Sequence, residues 1–326
     1  MGFEKIKKHG QFRTEHELFG QLIKILKEKD NFVLATHLNY DPDALGSLIS
    51  LGLILKKLNK NFIIYFEEEL DEKFQFIPLK EKLTKNINYQ QFNIGIILDC
   101  DRLLRAGEKF YLAIKNKFTI LIDHHQTNLK DANFNLVMKT NSTAEIIYYL
   151  AKELNIDFDQ DLATTLLLGI LGDTLILTVE MEKENLLKNF EIVKDLIEKG
   201  GDYNLIVKSL KTKSWLEFKN IINEINNTYL EDKILISVVK NCDTGEIASF
   251  LNFIKDSEII AILKPKDNGV KISLRSKGNI DVGYLAKEYF NGGGHKNAAG
   301  GFLEMKIDSA KNFVLEKLKE YLNNLV

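Results

Sequence analysis

The sequence predicts an α/β protein in which a parallel-sheet domain precedes a smaller α/β domain, with a cleft between them. In the first half of the chain, short apolar segments alternate with longer helical patterns, which is typical of a parallel sheet with crossover helices. Near Asn227 the pattern changes to strands joined by turns. The length of 326 residues also exceeds the ~250–300 residues at which single cores stop growing.

The first half of the chain begins with a helical pattern over residues 15–29. Strands are predicted at 32–36, 62–66, 93–98 and 118–122, and two more helices at 44–58 and near 105–115. From 142 to about 171 the pattern is mostly helical. Ser142 or Thr143 is the expected N-cap there, because Glu145 follows in the first turn.

The second half is predicted to contain helices before the pattern changes and strands after it. Helices are expected at 183–198, 214–226 and 309–325, and strands at 233–239, 258–263, 270–274 and 301–305. Residues 264–269 form a turn-rich hairpin connection, and a glycine-rich loop spans 292–295. We therefore expect domains at 1–200 and 231–326, joined by a helical linker at 201–230.

Composition narrows the class of partner. Lys plus Arg number 44 and Asp plus Glu number 46, so the net charge of −2 argues against a long duplex partner but not against short oligonucleotides. Arginine occurs at four positions, Arg13, Arg102, Arg105 and Arg275. We expect Arg13 to lie on the surface. The other three are candidate phosphate contacts, because guanidinium binds phosphate bidentately, although Arg102 and Arg105 are equally compatible with a helix surface.

Cysteine usage and hydropathy indicate where the protein works. Cys100 and Cys242 are far apart and outside any CxxC pair, which suits a reducing compartment. No apolar run reaches membrane-spanning length, and the first residues lack the apolar region of a signal peptide. We expect a cytoplasmic protein without a membrane partner.

Four segments place carboxylates and imidazoles directly after apolar runs, and three of those runs are predicted strands. The residues are His37, Asp41 and Asp43, then Asp99, then Asp123, His124 and His125, and finally Asp173. Each alone has an ordinary interpretation as a cap, turn or polar residue. Together they predict one site, because the carboxyl ends of parallel strands meet at one edge of a sheet.

The donor types in these segments suit a two-cation site. Mixed imidazole and carboxylate ligands favour Mn²⁺ and, less selectively, Mg²⁺ or Zn²⁺. A carboxylate such as Asp99 can bridge two ions ~3.5–4 Å apart, an arrangement used for displacement at phosphorus. His125 is then an uncommitted imidazole that can contact a phosphate oxygen or move a proton.

These segments resemble the four motifs of the DHH phosphoesterase superfamily. The matching stretches are His37-x-x-x-Asp41-Pro42-Asp43, Leu98-Asp99-Cys100-Asp101, Asp123-His124-His125 and Gly172-Asp173-Thr174. Ser273-Leu274-Arg275-Ser276 and the Gly292-Gly293-Gly294-His295 segment resemble the DHH-associated C-terminal domain. The compact two-domain form is most similar to NrnA-type oligoribonucleases (nanoRNases) and phosphoadenosine phosphate phosphatases.

The resemblance implies a role for each residue. His37, Asp41 and Asp99 would bind one cation, and Asp43, Asp99, His124 and Asp173 the other. Asp123 would orient a ligand, and His125 would face the scissile phosphate. The rest of the substrate would be held by Ser273, Arg275, Gly292, Gly293, Gly294 and His295. Arg102 and Arg105 are substrate-contact candidates on separate grounds, because they follow the second motif closely. Bare amides in a glycine run can approach a phosphate closely, although a tight turn would also explain them.

The resemblance also implies the reaction. It predicts a Mn²⁺-dependent phosphodiesterase that hydrolyses short oligoribonucleotides or dinucleotides to mononucleotides. The alternatives are 3′-phosphoadenosine 5′-phosphate phosphatase activity, cyclic or linear dinucleotide hydrolysis, and, outside enzymes, a nucleotide sensor. Homodimerisation stays open. One departure is that Leu175-Ile176-Leu177 follows Thr174, where related oligoribonucleases have Gly and then an aromatic residue.

Overall fold

A computed structural model describes residues 5–8, 11–88, 90–125, 129–178 and 181–324, and it leaves out the side chains of 5–8, 11–15 and 295. The chain divides into two compact units, Met1–Thr212 and Lys213–Val326. The boundary falls inside the segment 201–230, where the sequence predicted linking helices. Each unit is built on its own sheet.

The first unit contains a six-stranded sheet of order β5-β4-β3-β6-β7-β8, in which every pair of neighbours is parallel. Its strands follow a separate antiparallel pair, β1 (Lys5–Lys8) and β2 (Gln11–Thr14). They are β3 (Phe32–Ala35), β4 (Phe62–Tyr65), β5 (Leu83–Thr84), β6 (Ile94–Leu98), β7 (Phe118–Asp123) and β8 (Phe134–Val137). The predicted parallel sheet is confirmed, and β5 and β8 are additions to it.

The strand order has a consequence for ligand binding. Sequence order runs outward from β3 in one direction and from β6 in the other, so these two central strands flank a topological switch point. In open α/β sheets, ligands bind outside the carboxyl ends of the strands at such a point. His37 follows β3 and Asp99 follows β6, so both lie where the fold favours a site.

Seven α-helices belong to the described part of the first unit. They are α1 (Glu15–Glu28), α2 (Pro42–Lys57), α3 (Glu108–Ile114), α4 (Thr143–Glu153), α5 (Gln160–Asp173), α6 (Lys183–Glu198) and α7 (Tyr203–Lys211). The helix predicted near 105–115 is wrong at its start. A 3-10 turn, Leu103–Ala106, comes first, and Gly107 separates it from α3 because its φ of +99° cannot continue a helix.

Glycines let α5 pack directly against α2 and against the start of α4. A Cβ at Gly46 would lie 2.6 Å from the backbone nitrogen of Gly169. A Cβ at Gly169 would lie 2.4 Å from the Cβ of Ala144 and 2.8 Å from Oδ1 of Asp43. Side chains larger than hydrogen do not fit at these points, so the glycines set the distance between the helices that carry Asp43 and Asp173.

The second unit contains a six-stranded mixed sheet of order β13-β14-β12-β11-β10-β9. Its strands are β9 (Tyr229–Glu231), β10 (Ile234–Val238), β11 (Ile259–Lys266), β12 (Gly269–Ser276), β13 (Gly293–His295) and β14 (Ala298–Leu303). Only β10 and β11, among the described pairs, run parallel. The hairpin connection predicted at 264–269 is shorter than expected, because both strands extend into it and leave residues 267–268.

Helices cover both faces of this sheet. They are α8 (Trp215–Ile225), α9 (Thr244–Leu251), α10 (Val282–Tyr289) and α11 (Ile307–Asn323). Alternate residues of β10 pack into different clusters, Ile234 with α10 and α11, and Leu235 with α8 and α9. The sequence did not predict α9 and α10. No helix of the described residues is long and apolar enough to cross a membrane.

Candidate metal centre

The ends of the central strands bring the first candidate ligands together. The Thr36 hydroxyl donates a 2.9 Å hydrogen bond to the Leu98 carbonyl, which ties the end of β3 to that of β6. His37 and Asp99 come directly after these residues, and both side chains are buried. Asp99 has a φ of +57°, a left-handed conformation that is uncommon outside glycine and frequent at functional sites.

The first group of candidate ligands is His37, Asp41 and Asp99. His37 Nε2 lies 3.8 Å from Asp41 Oδ2 and 3.6 Å from Asp99 Oδ2. Ligand atoms ~2.0–2.2 Å from one ion lie roughly 3–4 Å from each other. The distances therefore have the spacing of atoms that share a cation.

The second group is Asp43, His124 and Asp173. His124 Nε2 lies 3.5 Å from Asp173 Oδ2 and also 3.5 Å from Asp99 Oδ1. The ligand atoms within each group lie within 4.8 Å of one another. Asp99 therefore presents one oxygen to His37 and the other to His124. The structure brings all six predicted metal ligands into two adjoining groups, and their chemistry fits two divalent cations.

Backbone carbonyls orient two of the imidazoles. His37 Nδ1 lies 3.0 Å from the Leu38 carbonyl, and His124 Nδ1 lies 3.3 Å from the Thr140 carbonyl. Because a carbonyl oxygen only accepts, Nδ1 is the donor in each contact, and the neutral ring then keeps its lone pair on Nε2. Both Nε2 atoms face carboxylates of the groups, so the rings are held in the ligating orientation.

Asp123 and His125 stand beside these groups. Asp123 is buried, and its Oδ1 lies 2.7 Å from His125 Nδ1 while it accepts a 2.9 Å hydrogen bond from the His124 backbone N–H. His125 Nδ1 is also 3.8 Å from Asp99 Oδ1. Asp123 therefore contacts both histidines that follow it, one through the backbone and one through the imidazole.

The start of α4 supplies contacts that sequence reasoning missed. Asp43 accepts hydrogen bonds from the backbone N–H groups of Thr143 (2.6 Å) and Ala144 (2.9 Å). The Thr143 hydroxyl donates a 2.9 Å hydrogen bond to Asp99 Oδ1. A helix N-terminus favours negative charge. The signal for a helix start at Ser142-Thr143 was visible in the sequence, but the two distant carboxylates that it contacts were not.

Charges in the site are strongly coupled. Burial raises the pKa of Asp43, and the neighbouring aspartates raise it further, well above the ordinary value of 3.8. The pKa of Asp173, whose side chain is 33% exposed, is raised well above 3.8 by partial desolvation and by the charges of Asp41 and Asp99. Burial would also raise the pKa of Asp99, but its hydrogen bond to His37 and the charges of the three histidines lower it to about 2. The carboxylates thus repel one another unless cationic groups stand between them.

The histidines divide in their proton affinity. Burial lowers the pKa of each, and for His124 this effect prevails. For His37, hydrogen bonds and charges from Asp41 and Asp99 outweigh burial and raise the pKa to about 10. For His125, the hydrogen bond and charge of Asp123 do so and raise the pKa to about 9.

Two predicted substrate contacts lie just after Asp99. Arg102 Nη2 is 3.0 Å from Asp101 Oδ2, and Arg105 Nη1 is 3.7 Å from Asp101 Oδ1. Their side chains are 48% and 46% exposed. Asp101 thus pairs with both guanidinium groups and leaves them largely accessible to a ligand.

The remaining predicted substrate contacts belong to the second unit. Ser273 donates a 2.8 Å hydrogen bond to the Thr244 hydroxyl, and Arg275 is half-buried, with Nη1 2.9 Å from the Leu274 carbonyl. The glycine segment, predicted as a loop, is instead largely the strand β13 paired with β14. A Cβ at Gly292 would lie 1.9 Å from the Gly300 carbonyl, so close strand packing requires glycine there. The side chain of His295 lies outside the described part of the chain.

Comparison with protein families gives two matches. Residues 31–170 match the DHH family, N-terminal domain, and residues 231–324 match the DHHA1 domain. Together these ranges contain the candidate ligands other than Asp173, which lies three residues beyond the first range, and the predicted contacts of the second unit.

Individual relatives extend over most of the chain. The chain is 25% identical to the bifunctional oligoribonuclease and PAP phosphatase NrnA of Thermus thermophilus over 299 residues, 89% of each chain. It is 26% identical to the probable protein of that description from Streptococcus mutans over 303 residues, 86% of this chain and 92% of the relative.

Solved structures share the fold. An exopolyphosphatase-related protein from Bacteroides fragilis superposes with a TM-score of 0.78 at 22% identity, over 94% of this chain and 96% of that one. RecJ from Thermus thermophilus in complex with Mn²⁺ superposes with a TM-score of 0.54 at 16% identity, over 95% of this chain and 55% of RecJ.

Proposed function

Because this chain belongs to the DHH family of phosphoesterases and carries a DHHA1 domain, we propose that it is a Mn²⁺-dependent phosphodiesterase of short oligoribonucleotides or dinucleotides. The observation that carries the proposal is the position of Asp99. It faces His37 with one oxygen and His124 with the other, and so joins the two ligand groups. When bound, two divalent cations supply Lewis-acid stabilisation of a phosphate and lower the pKa of a water.

The chain's own residues orient the substrate and move protons. His125, held by Asp123, is placed to donate a proton to a phosphate oxygen or a leaving group. Arg102 and Arg105, three and six residues after Asp99, are exposed and can bind further phosphate oxygens. These contacts favour a phosphodiester with additional phosphates nearby.

Groups of the second unit suit the remaining part of a nucleotide. The Arg275 guanidinium matches phosphate, and buried Ser273, whose hydroxyl donates to Thr244, supports the same strand. The net charge of −2 provides little attraction for a long polyanion, so we infer a substrate of a few nucleotides. We also propose that the protein works in the cytoplasm. Arg275→Ala should raise KM for a dinucleotide more than it lowers kcat.

A second activity, 3′-phosphoadenosine 5′-phosphate phosphatase, is supported by the relatives, which are named as bifunctional in this sense. Linear or cyclic dinucleotides of signalling pathways would use the same ligands. A non-catalytic nucleotide sensor is less well supported, because both ligand groups are complete.

A substrate panel tests the proposal. Metal-stripped protein is assayed with and without Mn²⁺ on pApA, five-nucleotide RNA, phosphoadenosine phosphate and pyrophosphate. We expect hydrolysis of pApA and short RNA only with Mn²⁺. Preference for pyrophosphate, processive digestion of long RNA, or unchanged hydrolysis after His124→Ala would each contradict the proposal.

A further inference from the structure

The segment that follows Asp173 has an uncommon backbone conformation. Leu175, Ile176 and Leu177 have φ values of +48°, +60° and +59°. Left-handed conformations bring the Cβ of an L-residue close to the following carbonyl, and for a β-branched residue such as Ile176 they are outliers. Such backbone persists where surrounding contacts determine it, and it concentrates at functional sites.

Contacts on both sides hold this left-handed turn. Ile176 and Leu177 are partly buried and pack against the core of the first unit. The Ile176 N–H donates a 2.7 Å hydrogen bond to the Leu171 carbonyl, and the Leu177 N–H lies 3.3 Å from the hydroxyl of buried Thr174. The turn is thus fixed by its second and third residues.

Its first residue is left free to face outward. The side chain of Leu175 is 47% exposed, although its neighbours in the turn are anchored. Since consecutive Cα atoms are about 3.8 Å apart, the Leu175 Cα lies within about 7.6 Å of that of Asp173. Asp173 contacts His124 in the second ligand group, so Leu175 is an exposed apolar residue two positions along the chain from a candidate ligand.

We propose that Leu175 is a specificity-determining residue that packs against the base or ribose of the nucleotide whose phosphate lies at the second ligand group. This inference rests on the proposed function and names the part of the substrate read there. An isobutyl group cannot bind phosphate, but it can cover the apolar face of a nucleoside. The strained turn then has a function, because it holds Leu175 next to Asp173.

Calorimetric titration of the Mn²⁺-loaded protein with AMP and with inorganic phosphate separates the nucleoside contact from the phosphate contact. We expect Leu175→Ala and Leu175→Asn to weaken AMP binding about 5- to 10-fold, as loss of one apolar contact implies, and to leave phosphate binding unchanged. Leu175→Met should stay within about 2-fold of the wild type. Leu187→Ala, at a 53% exposed leucine of α6, is the matched control.

The variant set also separates the contact from the strain. Asn adopts positive φ readily and Ala does not, so recovery of AMP binding in Leu175→Asn alone would overturn the contact and assign the effect to the backbone. Equal losses for AMP and phosphate, or no loss in Leu175→Ala, would also overturn it. Wild-type protein that binds AMP but hydrolyses neither pApA nor short RNA would overturn the proposed function. The AMP titrations of the Leu175 variants would still test the nucleoside contact in that case.

Discussion

At the residue scale, Asp99 is the side chain that lies between the two candidate ligand groups. It is 1% exposed, its two oxygens face different histidines, and its pKa of about 2 keeps it ionised. Asp99→Asn keeps the shape but removes the charge and replaces one oxygen by an amide donor. We expect it to lower kcat at least about 100-fold and to weaken Mn²⁺ binding, measured by activity and by calorimetry.

Asp157→Asn provides the control for this substitution. Asp157 is exposed and lies outside both ligand groups, so activity and Mn²⁺ binding should equal those of the wild type. Substantial hydrolysis by Asp99→Asn at saturating Mn²⁺ would show that the two ligand groups do not act as one centre.

His125 offers a direct measurement of the site's electrostatics. In the metal-free protein its pKa is raised to about 9, because the hydrogen bond to Asp123 and nearby negative charge outweigh burial. The ring should therefore stay protonated through neutral pH and lose its proton as the pH rises through about 9. Imidazole NMR of metal-free protein should show this midpoint, and Asp123→Asn should move it toward 6.5. An unchanged midpoint in Asp123→Asn would contradict the assigned cause.

Residue types and their places at strand ends were enough to predict which six side chains the structure brings together, because parallel strands have their carboxyl ends at one edge of the sheet. The contact from Thr143 to Asp99 was not predictable, since it depends on how α4 is placed over the sheet. The pattern of residues along one sequence indicates where a helix or strand ends. It does not indicate which distant side chain the N-terminus of a helix will contact.

At the scale of elements, the helix ends stabilise the negative charge of some carboxylates in the site and destabilise that of another. Asp41 caps α2 by accepting a hydrogen bond from the Ala44 N–H, and Asp43 accepts two from the start of α4. These N-termini favour negative charge. Asp173 is the last residue of α5, where the helix dipole disfavours it. Of these three carboxylates, Asp173 is therefore the one whose negative charge its own helix end does not stabilise.

The close packing of α2, α4 and α5 should make Gly169 intolerant of substitution. In Gly169→Ala, the new methyl group would meet the Cβ of Ala144 at 2.4 Å and Oδ1 of Asp43 at 2.8 Å. We expect a loss of about 1–3 kcal/mol in the free energy of unfolding. Mn²⁺ affinity should fall as well, since Asp43 must move. Chemical denaturation and calorimetry measure the two effects.

Gly20→Ala is the matched control for Gly169→Ala. Gly20 lies inside α1, it is exposed, and a Cβ there would have no neighbour within 4 Å. The change should raise stability by about 0.5–1 kcal/mol and leave Mn²⁺ binding unaltered. Equal effects of the two substitutions would show that helix propensity, not close packing, decides at Gly169.

The elements that the sequence did not reveal are short. The strand β8 has four residues, and α9 and α10 have eight each. Such segments carry too few turns or alternations to show a period, and packing against a sheet decides them. Long buried segments such as α2 and β6 were predicted because their apolar runs have few alternatives.

At the scale of the whole molecule, the two units have separate hydrophobic cores, and both ligand groups belong to the first unit. Two independent cores predict two thermal transitions. A ligand that binds one folded unit stabilises that unit by mass action. Cation binding is therefore expected to act on one transition and to identify it as that of the first unit.

The pH dependence of this stabilisation has a definite sign. The pKa values of Asp43 and Asp173 are raised in the folded, metal-free unit, so that unit binds protons more strongly than the unfolded chain and loses stability as the pH rises above 3.8. A cation replaces those protons. A cation also displaces the proton of His37, whose pKa is about 10, so at a fixed Mn²⁺ concentration its stabilising effect should be larger at pH 8 than at pH 6.

Differential scanning calorimetry tests both expectations on the full chain. Mn²⁺ at about 100 times its Kd should add about 2.7 kcal/mol to the first unit, a rise of roughly 5–10 °C in one transition and none in the other. Asp173→Asn should raise the metal-free transition at pH 8, because it removes a repelled charge, and it should reduce the Mn²⁺ shift. A shift of both transitions together would contradict a cation site confined to the first unit. A larger shift at pH 6 would contradict the exchange of bound protons for the cation.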